Sequence, residues 1–139
     1  MPSDIDTIID DFEFLDEWED KYRYVIELGK SLPAFDDAAR TAQNKVNGCV
    51  SQVWLDSSVL DGSDKKIHFE GDSDAHIVRG LVAIMIAAMS DRPAAEIVGY
   101  DAEALLAKLG LDSHLTPQRS NGLRAMVARM KSVAGEAIS

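Results

Sequence analysis

Residues 67–89 read IHFEGDSDAHIVRGLVAIMIAAM, and a change of period inside this stretch decides the fold class. Ile67 and Phe69 alternate with His68 and Glu70, the two-residue period of a half-buried strand. Past Gly71-Asp72-Ser73 the alternation stops. Ile77, Val78, Leu81, Val82, Ile84, Met85, Ile86 and Met89 are then apolar nearly all round a helix, so this helix is expected to be the buried spine of the fold. Ser73 is expected to cap it, with Asp74 in its first turn, where the helix dipole favours an acid.

Upstream, VSQVWL at 50–55 is β-branched and aromatic and reads as a strand. Asp61-Gly62-Ser63-Asp64 is a tight turn, so the two strands form an antiparallel hairpin. Two strands alone are marginal, so the hairpin must lie on the spine helix, with room for a third short strand. Residues 34–48 read as irregular, with a helical turn near Asp36 to Arg40 and a turn signal at Asn47-Gly48.

Helices are expected on both sides of this centre. Ser3 and Asp6 resemble a capping box, and Ile5, Ile8, Ile9 and Phe12 follow at helical spacing. A second helix is expected from Asp16 to Leu28, with Trp18, Tyr22, Val25 and Ile26 inward, Gly29 as the left-handed residue after it, and Pro33 closing the segment. Downstream, Pro93 opens a short helix ended by Gly99. Asp101 opens another, with Leu105, Leu106 and Leu109 inward and Gly110 after it. Thr116-Pro117 pairs a cap with a proline at the first helical position, and Leu123, Met126, Val127 and Met130 give the last helix its stripe. The expected class is α+β: a small antiparallel β-sheet packed with flanking helices, one domain over residues 1–139.

Composition narrows the function. Of 139 residues 46% are hydrophobic and 27% charged, an ordinary globular balance, and a chain of this size needs no disulfide or metal to fold. The net charge of −10 and the lack of a clustered basic patch argue against nucleic acid and against an anionic membrane. Charge is uneven: residues 1–20 hold nine acids and no Lys or Arg, whereas Arg119, Arg124, Arg129 and Lys131 face only Glu136 after Ser113. This is either a solvated acidic face with a mildly basic last helix, or a polarised surface that orients a partner. The acidic N-terminus lacks a basic-then-apolar signal, so a cytoplasmic protein is expected. The longest apolar run, Leu81 to Met89, is nine residues, far short of the roughly 20 of a membrane span.

Chemistry concentrates on one residue. Cys49 is the only cysteine and stands between the Asn47-Gly48 turn and a strand, a loop-tip position that suits a reactive thiol as well as a small packed hydrophobe. Gly48 allows unusual backbone angles there. His68, His76 and His114 show no metal-ligand spacing and read as surface or capping residues, although a Cys–His pair with His114 is conceivable. No phosphate-binding or dinucleotide fingerprint is present. The Met85, Met89, Met126 and Met130 set, at helical spacing, reads as core filler.

Four blocks carry a family resemblance. NKVNGCVSQVW at 44–54 resembles the active loop of the SufE-type cysteine desulfuration proteins, in which a Gly-Cys pair is followed by Ser-Gln-Val-Trp. WEDKYRYVIELGKSLP at 18–33, FEGDSDAHIVRGLVAIM at 69–85 and HLTPQRSNGL at 114–123 are similar to further family blocks, in the same order.

The resemblance implies an α+β fold shared with U-type iron–sulfur scaffolds. It also implies that Cys49 accepts persulfide sulfur from a pyridoxal-phosphate cysteine desulfurase, stimulates it, and delivers sulfur toward an Fe–S scaffold complex. The cofactor is then the partner's: none is expected on this chain, and no metal. With one cysteine the chain resembles the carrier branch and not the cluster-holding branch. By the same resemblance Gly48, Ser51, Gln52 and Trp54 support the loop, Arg119, Ser120 and Gly122 dock the desulfurase or brace the loop, and Asp74 is an interface residue secondarily to opening its helix. Gly48 is expected to act as a hinge, with Val46 and Val50 helping to cover the sulfur. A stand-alone Cys-nucleophile hydrolase or transferase, and a structural module with an incidental cysteine, remain alternatives at this stage. Monomer and homodimer both stay open, as does which desulfurase system is served.

Overall fold

The computed structural model describes residues 4–46 and 51–138. Asn47, Gly48, Cys49 and Val50 lie outside the described residues, as does Ser3. The first helix, α1 (Ile5–Phe14), is capped by Asp4, whose carboxylate accepts the Thr7 N–H at 2.8 Å, and buries Ile5, Ile8 and Phe12. The cap therefore falls one residue after the expected Ser3. α2 (Trp18–Lys30) packs on α1 through the edge of Phe12 against the Tyr24 ring, 5.4 Å between centroids. The Tyr24 hydroxyl donates to Asp11 at 2.6 Å.

Gly29 lies inside α2 and not after it, which corrects the expected cap. Its reason is close approach. A Cβ there would come within 2.8 Å of the Gly80 nitrogen in α3 (His76–Met89), and a Cβ on Gly80 within 2.0 Å of the Val25 carbonyl oxygen. The two helices thus cross nearly backbone to backbone, which only glycine permits. Ser31 ends α2, its hydroxyl donating to the Leu28 carbonyl at 2.6 Å.

After a 3₁₀ turn at Asp37–Ala39 the chain enters a three-stranded antiparallel sheet of order β1-β2-β3. β1 (Val53–Val59) pairs with β2 (Lys66–Ser73) in a register running from Val53 opposite Ser73 to Val59 opposite Ile67. β3 (Arg92–Pro93) adds two residues beside Lys66 and Ile67. β1 begins three residues later than the sequence suggests and runs four further. The Gln52 N–H is taken by a carboxylate instead of a strand, and Asp56, Ser57 and Ser58, poor strand formers, are drawn in by pairing with β2. On its outer rim β1 meets the incoming segment 44–46: Lys45 bridges Trp54, the Val46 N–H donates to Val53 at 2.8 Å, and the Leu55 N–H to Asn44 at 2.8 Å.

β2 keeps Ser73 extended, so α3 starts only at His76. Ser73 Oγ accepts the Ala75 N–H at 3.3 Å, and Asp74 stands before the helix, not in its first turn. α3 is the spine as expected: Leu81, Val82, Ile84, Met85, Ala88 and Met89 are buried, and each large one contributes roughly 1.5–3 kcal/mol of burial. α4 (Ala94–Gly99), α5 (Ala102–Leu109) and α6 (Pro117–Ile138) follow the local signals. Asp101 accepts the Ala104 N–H at 3.0 Å, and Gly110 takes the left-handed position at φ 73°. Met126 and Met130 join Met85 and Met89 in the core.

Candidate functional site

Two stems carry the chain to and from residues 47–50. The incoming stem, 41–46, is folded back on itself: Thr41 Oγ accepts the Asn44 N–H at 3.2 Å, and the Asn44 amide donates to the Ala39 carbonyl at 2.9 Å. Val46 is buried in the core. From α6, Arg129 donates to the Gln43 carbonyl oxygen and, at 3.4 Å, to that of Lys45. The outgoing stem is held by Asp74. Its carboxylate accepts the Gln52 N–H at 3.0 Å, and its own N–H returns to the Gln52 carbonyl at 3.2 Å.

Ser51, two residues after Cys49 in the sequence, lines a cavity of about 240 Å³ between β1, α3 and α6. Its apolar walls are Val53, Val78, Leu81, Val82, Leu123 and Met126, with Ser51, Thr116, Gln118 and Arg119 as the polar lining. Thr116 Oγ accepts the Arg119 N–H at 3.3 Å, so the cap that starts α6 also sets the Arg119 backbone at the cavity. The pocket is therefore mostly apolar, with two hydroxyl-bearing residues, one amide and one arginine in its lining.

Beneath the stems lies a buried charge cluster. Asp72, 7% exposed, receives Arg79 Nε at 2.7 Å on one carboxylate oxygen and Arg40 Nη1 at 2.7 Å on the other. Burial pushes the Asp72 carboxyl up, but the hydrogen bond from Arg40, the Ser73 backbone and the Arg79 charge outweigh it and hold the carboxyl below its ordinary value. The Arg40 guanidinium also lies over the Phe35 ring at 5.2 Å and the Trp54 ring at 5.0 Å. Trp54 sits opposite Asp72 in the ladder and beside Lys45 in the bridge, so this cluster backs the point where the incoming stem meets the sheet.

The comparisons with known proteins decide the family. The family model described as SufE, Fe-S metabolism associated domain, matches residues 6–134. The chain belongs to the SufE family. An uncharacterized SufE-like protein of Rhizobium meliloti is 58% identical over 131 residues, covering 94% of each chain. One of Rhizobium etli is 57% identical, covering 94% of this chain and 88% of its own. A solution structure of a hypothetical protein from Thermus thermophilus shares the fold, with a TM-score of 0.77 at 16% identity, over 99% of this chain and 98% of that one. SufE membership supports a sulfur-transfer role in Fe–S metabolism.

Within this SufE fold, Ser51 and Arg119 meet on one cavity, together with Gly122. Gln52 and Asp74 meet each other. Ser120 does not line that cavity; its N–H donates to the Thr116 carbonyl at 3.0 Å in the first turn of α6. Trp54 is half-buried and stacked on Arg40, so it is more than core filling. Cys49 and Gly48, the residues the reading turns on, lie outside the described residues. His114 is stacked on Trp18, 4.3 Å between ring centroids and 11° from parallel. His68 bonds Asp91 at 2.8 Å and Glu70 at 3.3 Å, and the Asp91 hydrogen bond, against the opposing effect of burial, raises its pKa. Among the described residues no cluster of His, Cys, Asp and Glu could hold a metal, and no helix is long and apolar enough to cross a membrane.

Sequence reasoning missed Arg129, Arg40, Arg79 and Asp72. Arg129 reaches carbonyls 84 and 86 positions away, and neutral carbonyls leave no trace in a charge pattern. The Asp72–Arg79 spacing of 7 gives no local signal either, because it spans a strand end and a helix start.

Proposed function

We propose that this SufE-family chain is a sulfur carrier that accepts persulfide sulfur on Cys49 from a pyridoxal-phosphate cysteine desulfurase, stimulates that enzyme by clearing it, and delivers the sulfur to an Fe–S scaffold complex. The observation that carries the reading is that the family match over residues 6–134 takes in the chain's only cysteine, and that Ser51, two residues on, lines an apolar cavity.

The step is thiol exchange in form. The Cys49 thiolate attacks the terminal sulfur of the desulfurase persulfide, and a new S–S bond forms as the old one breaks. The desulfurase cysteine leaves as a thiolate, and the proton on the transferred sulfur travels with it. No external oxidant or reductant is consumed. A free thiol of pKa about 8.5 is only a few per cent ionised at pH 7, so a nearby cation speeds the step. Arg119, the charged group in the cavity lining, is the residue of this chain suited to that role, and Gly48 the hinge that lets the sulfur turn between cavity and partner. Turnover resides in the desulfurase, so the chain is a substrate-like partner and not an enzyme.

The hydrolase alternative needs a base beside Cys49. Both ring nitrogens of His68 are engaged with Asp91 and Glu70, and His114 stacks a ring face on Trp18. The test is incubation with a cysteine desulfurase and labelled cysteine, followed by non-reducing mass spectrometry. Wild type gains steps of about 32 Da, one sulfur each, at Cys49, and Cys49→Ser gains none. A wild-type mass that stays constant while the desulfurase turns over rules the carrier role out.

A further inference from the structure

We infer that Arg129 is a positioning residue for sulfur acceptance, fixing the place from which the chain departs toward Cys49. The inference rests on the function proposed above.

α6 meets the chain on both sides of Cys49. Near its start Arg119 lines the cavity together with Ser51. Ten residues later Arg129 grips the carbonyls of Gln43 and Lys45 on the incoming stem. At 1.5 Å rise per residue the two points lie about 15 Å apart along one rigid rod. α6 therefore acts as a ruler: it sets where the incoming stem lies relative to the cavity that the outgoing stem reaches.

The incoming stem's ladder to β1 relates it to α6 through the sheet, because β1 packs on α6, and Arg40 ties the residue before the stem to Asp72. Arg129 adds a direct hydrogen-bonded tie from α6 to segment 41–46. The chemistry of the grip is also specific. A planar guanidinium reaches two carbonyls at once, whereas an ammonium offers a single nitrogen. Because both acceptors are neutral carbonyls, the tether persists through the pH range in which carboxylate pairs titrate.

Arg129→Ala and Arg129→Lys in the full chain test it, with two readouts. The first is amide exchange by NMR at Val46 and Leu55, whose N–H groups form the stem's ladder to β1, against Leu105 in α5 as reference. The second is sulfur acceptance against a titration of desulfurase. In Arg129→Ala, exchange at Val46 and Leu55 rises about tenfold with Leu105 unchanged, as loss of a charge-assisted hydrogen bond predicts. The maximal acceptance rate falls by a similar factor while half-saturation by the desulfurase stays within about twofold, and Arg129→Lys recovers part of both. Unchanged exchange at Val46 and Leu55, or an equal rise at Leu105, overturns the inference. So does a defect confined to half-saturation, which would make Arg129 a docking residue. A wild-type chain that takes up no sulfur overturns the proposed function with it, whereas normal uptake by wild type and Arg129→Ala alike overturns this inference alone.

Discussion

Asp74 and Gln52 clasp each other twice: the Asp74 carboxylate accepts the Gln52 N–H at 3.0 Å, and the Asp74 N–H donates to the Gln52 carbonyl at 3.2 Å. One residue thereby ties the start of the spine helix to the outgoing stem, using its side chain where a ladder partner would otherwise be needed.

Removing the carboxylate leaves the Gln52 N–H without this acceptor. Asp74→Ala is expected to cost about 0.5–1.5 kcal/mol in urea unfolding and to speed exchange of the Gln52 amide, whereas Asp74→Asn, which keeps an acceptor oxygen, stays close to wild type. Equal effects of the two substitutions would mean that the charge matters and the hydrogen bond does not.

The α2–α3 crossing makes Gly80 intolerant of any side chain. Its Cβ would lie 2.0 Å from the Val25 carbonyl oxygen, so Gly80→Ala must separate the helices and is expected to cost at least about 1–3 kcal/mol. Gly135, inside α6 with nothing within 4 Å of its would-be Cβ, is the contrast. Gly135→Ala is expected to stabilise by roughly 0.5–1 kcal/mol through helix propensity alone. Thermal melts of the two variants, moving in opposite directions, check both.

Asp72 links stability to acid. Its folded carboxyl sits below the ordinary aspartate value of 3.8, so the unfolded chain binds this proton first as pH drops. Its contribution is therefore fully present above about pH 3.8 and is lost as pH falls through the lower folded value. At pH 7 Asp72→Asn is expected to lose about 1–3 kcal/mol, discounted from a fully buried pair because both arginines are about a third exposed. Below pH 4 its stability should decline less steeply than wild type. Parallel acid-unfolding curves would refute this.

His68 carries the opposite sign. Its pKa is raised chiefly by the Asp91 hydrogen bond, so its stabilising effect is present below pH 6.5 and fades as pH rises through the folded value. An NMR titration should place its midpoint above 6.5, and Asp91→Asn should lower it. Asparagine suits that position because Asp91 has φ 62°, a left-handed geometry it tolerates.

The parts of the fold legible in sequence were those set by neighbours along the chain. Pro93, Asp101, Gly110 and Thr116-Pro117 each act within one turn, and the structure puts α4, α5 and α6 where they indicate. Residues that serve a distant partner were misread. Gly29 has the local look of a helix stop, yet it answers to Gly80. Asp74 has the look of a first-turn acid, yet it answers to Gln52. For the candidate site, Ser51 and Arg119 were singled out through the family blocks and share a cavity, while the Arg129 grip had no sequence signal because carbonyl acceptors belong to every residue type.

The bridge between Lys45 and Trp54 has a consequence for how molecules of this protein behave toward one another. β1 is an outermost strand, and an unguarded outermost strand invites extended chain from another molecule to add on. The incoming stem occupies that rim as far as Leu55, and beyond it Asp56, Ser57 and Ser58 are exposed and offer little for a foreign strand to pack against. The segment that leads to the thiol thus doubles as a guard against fibre growth, and a variant that loosens it should clump before it loses its helices.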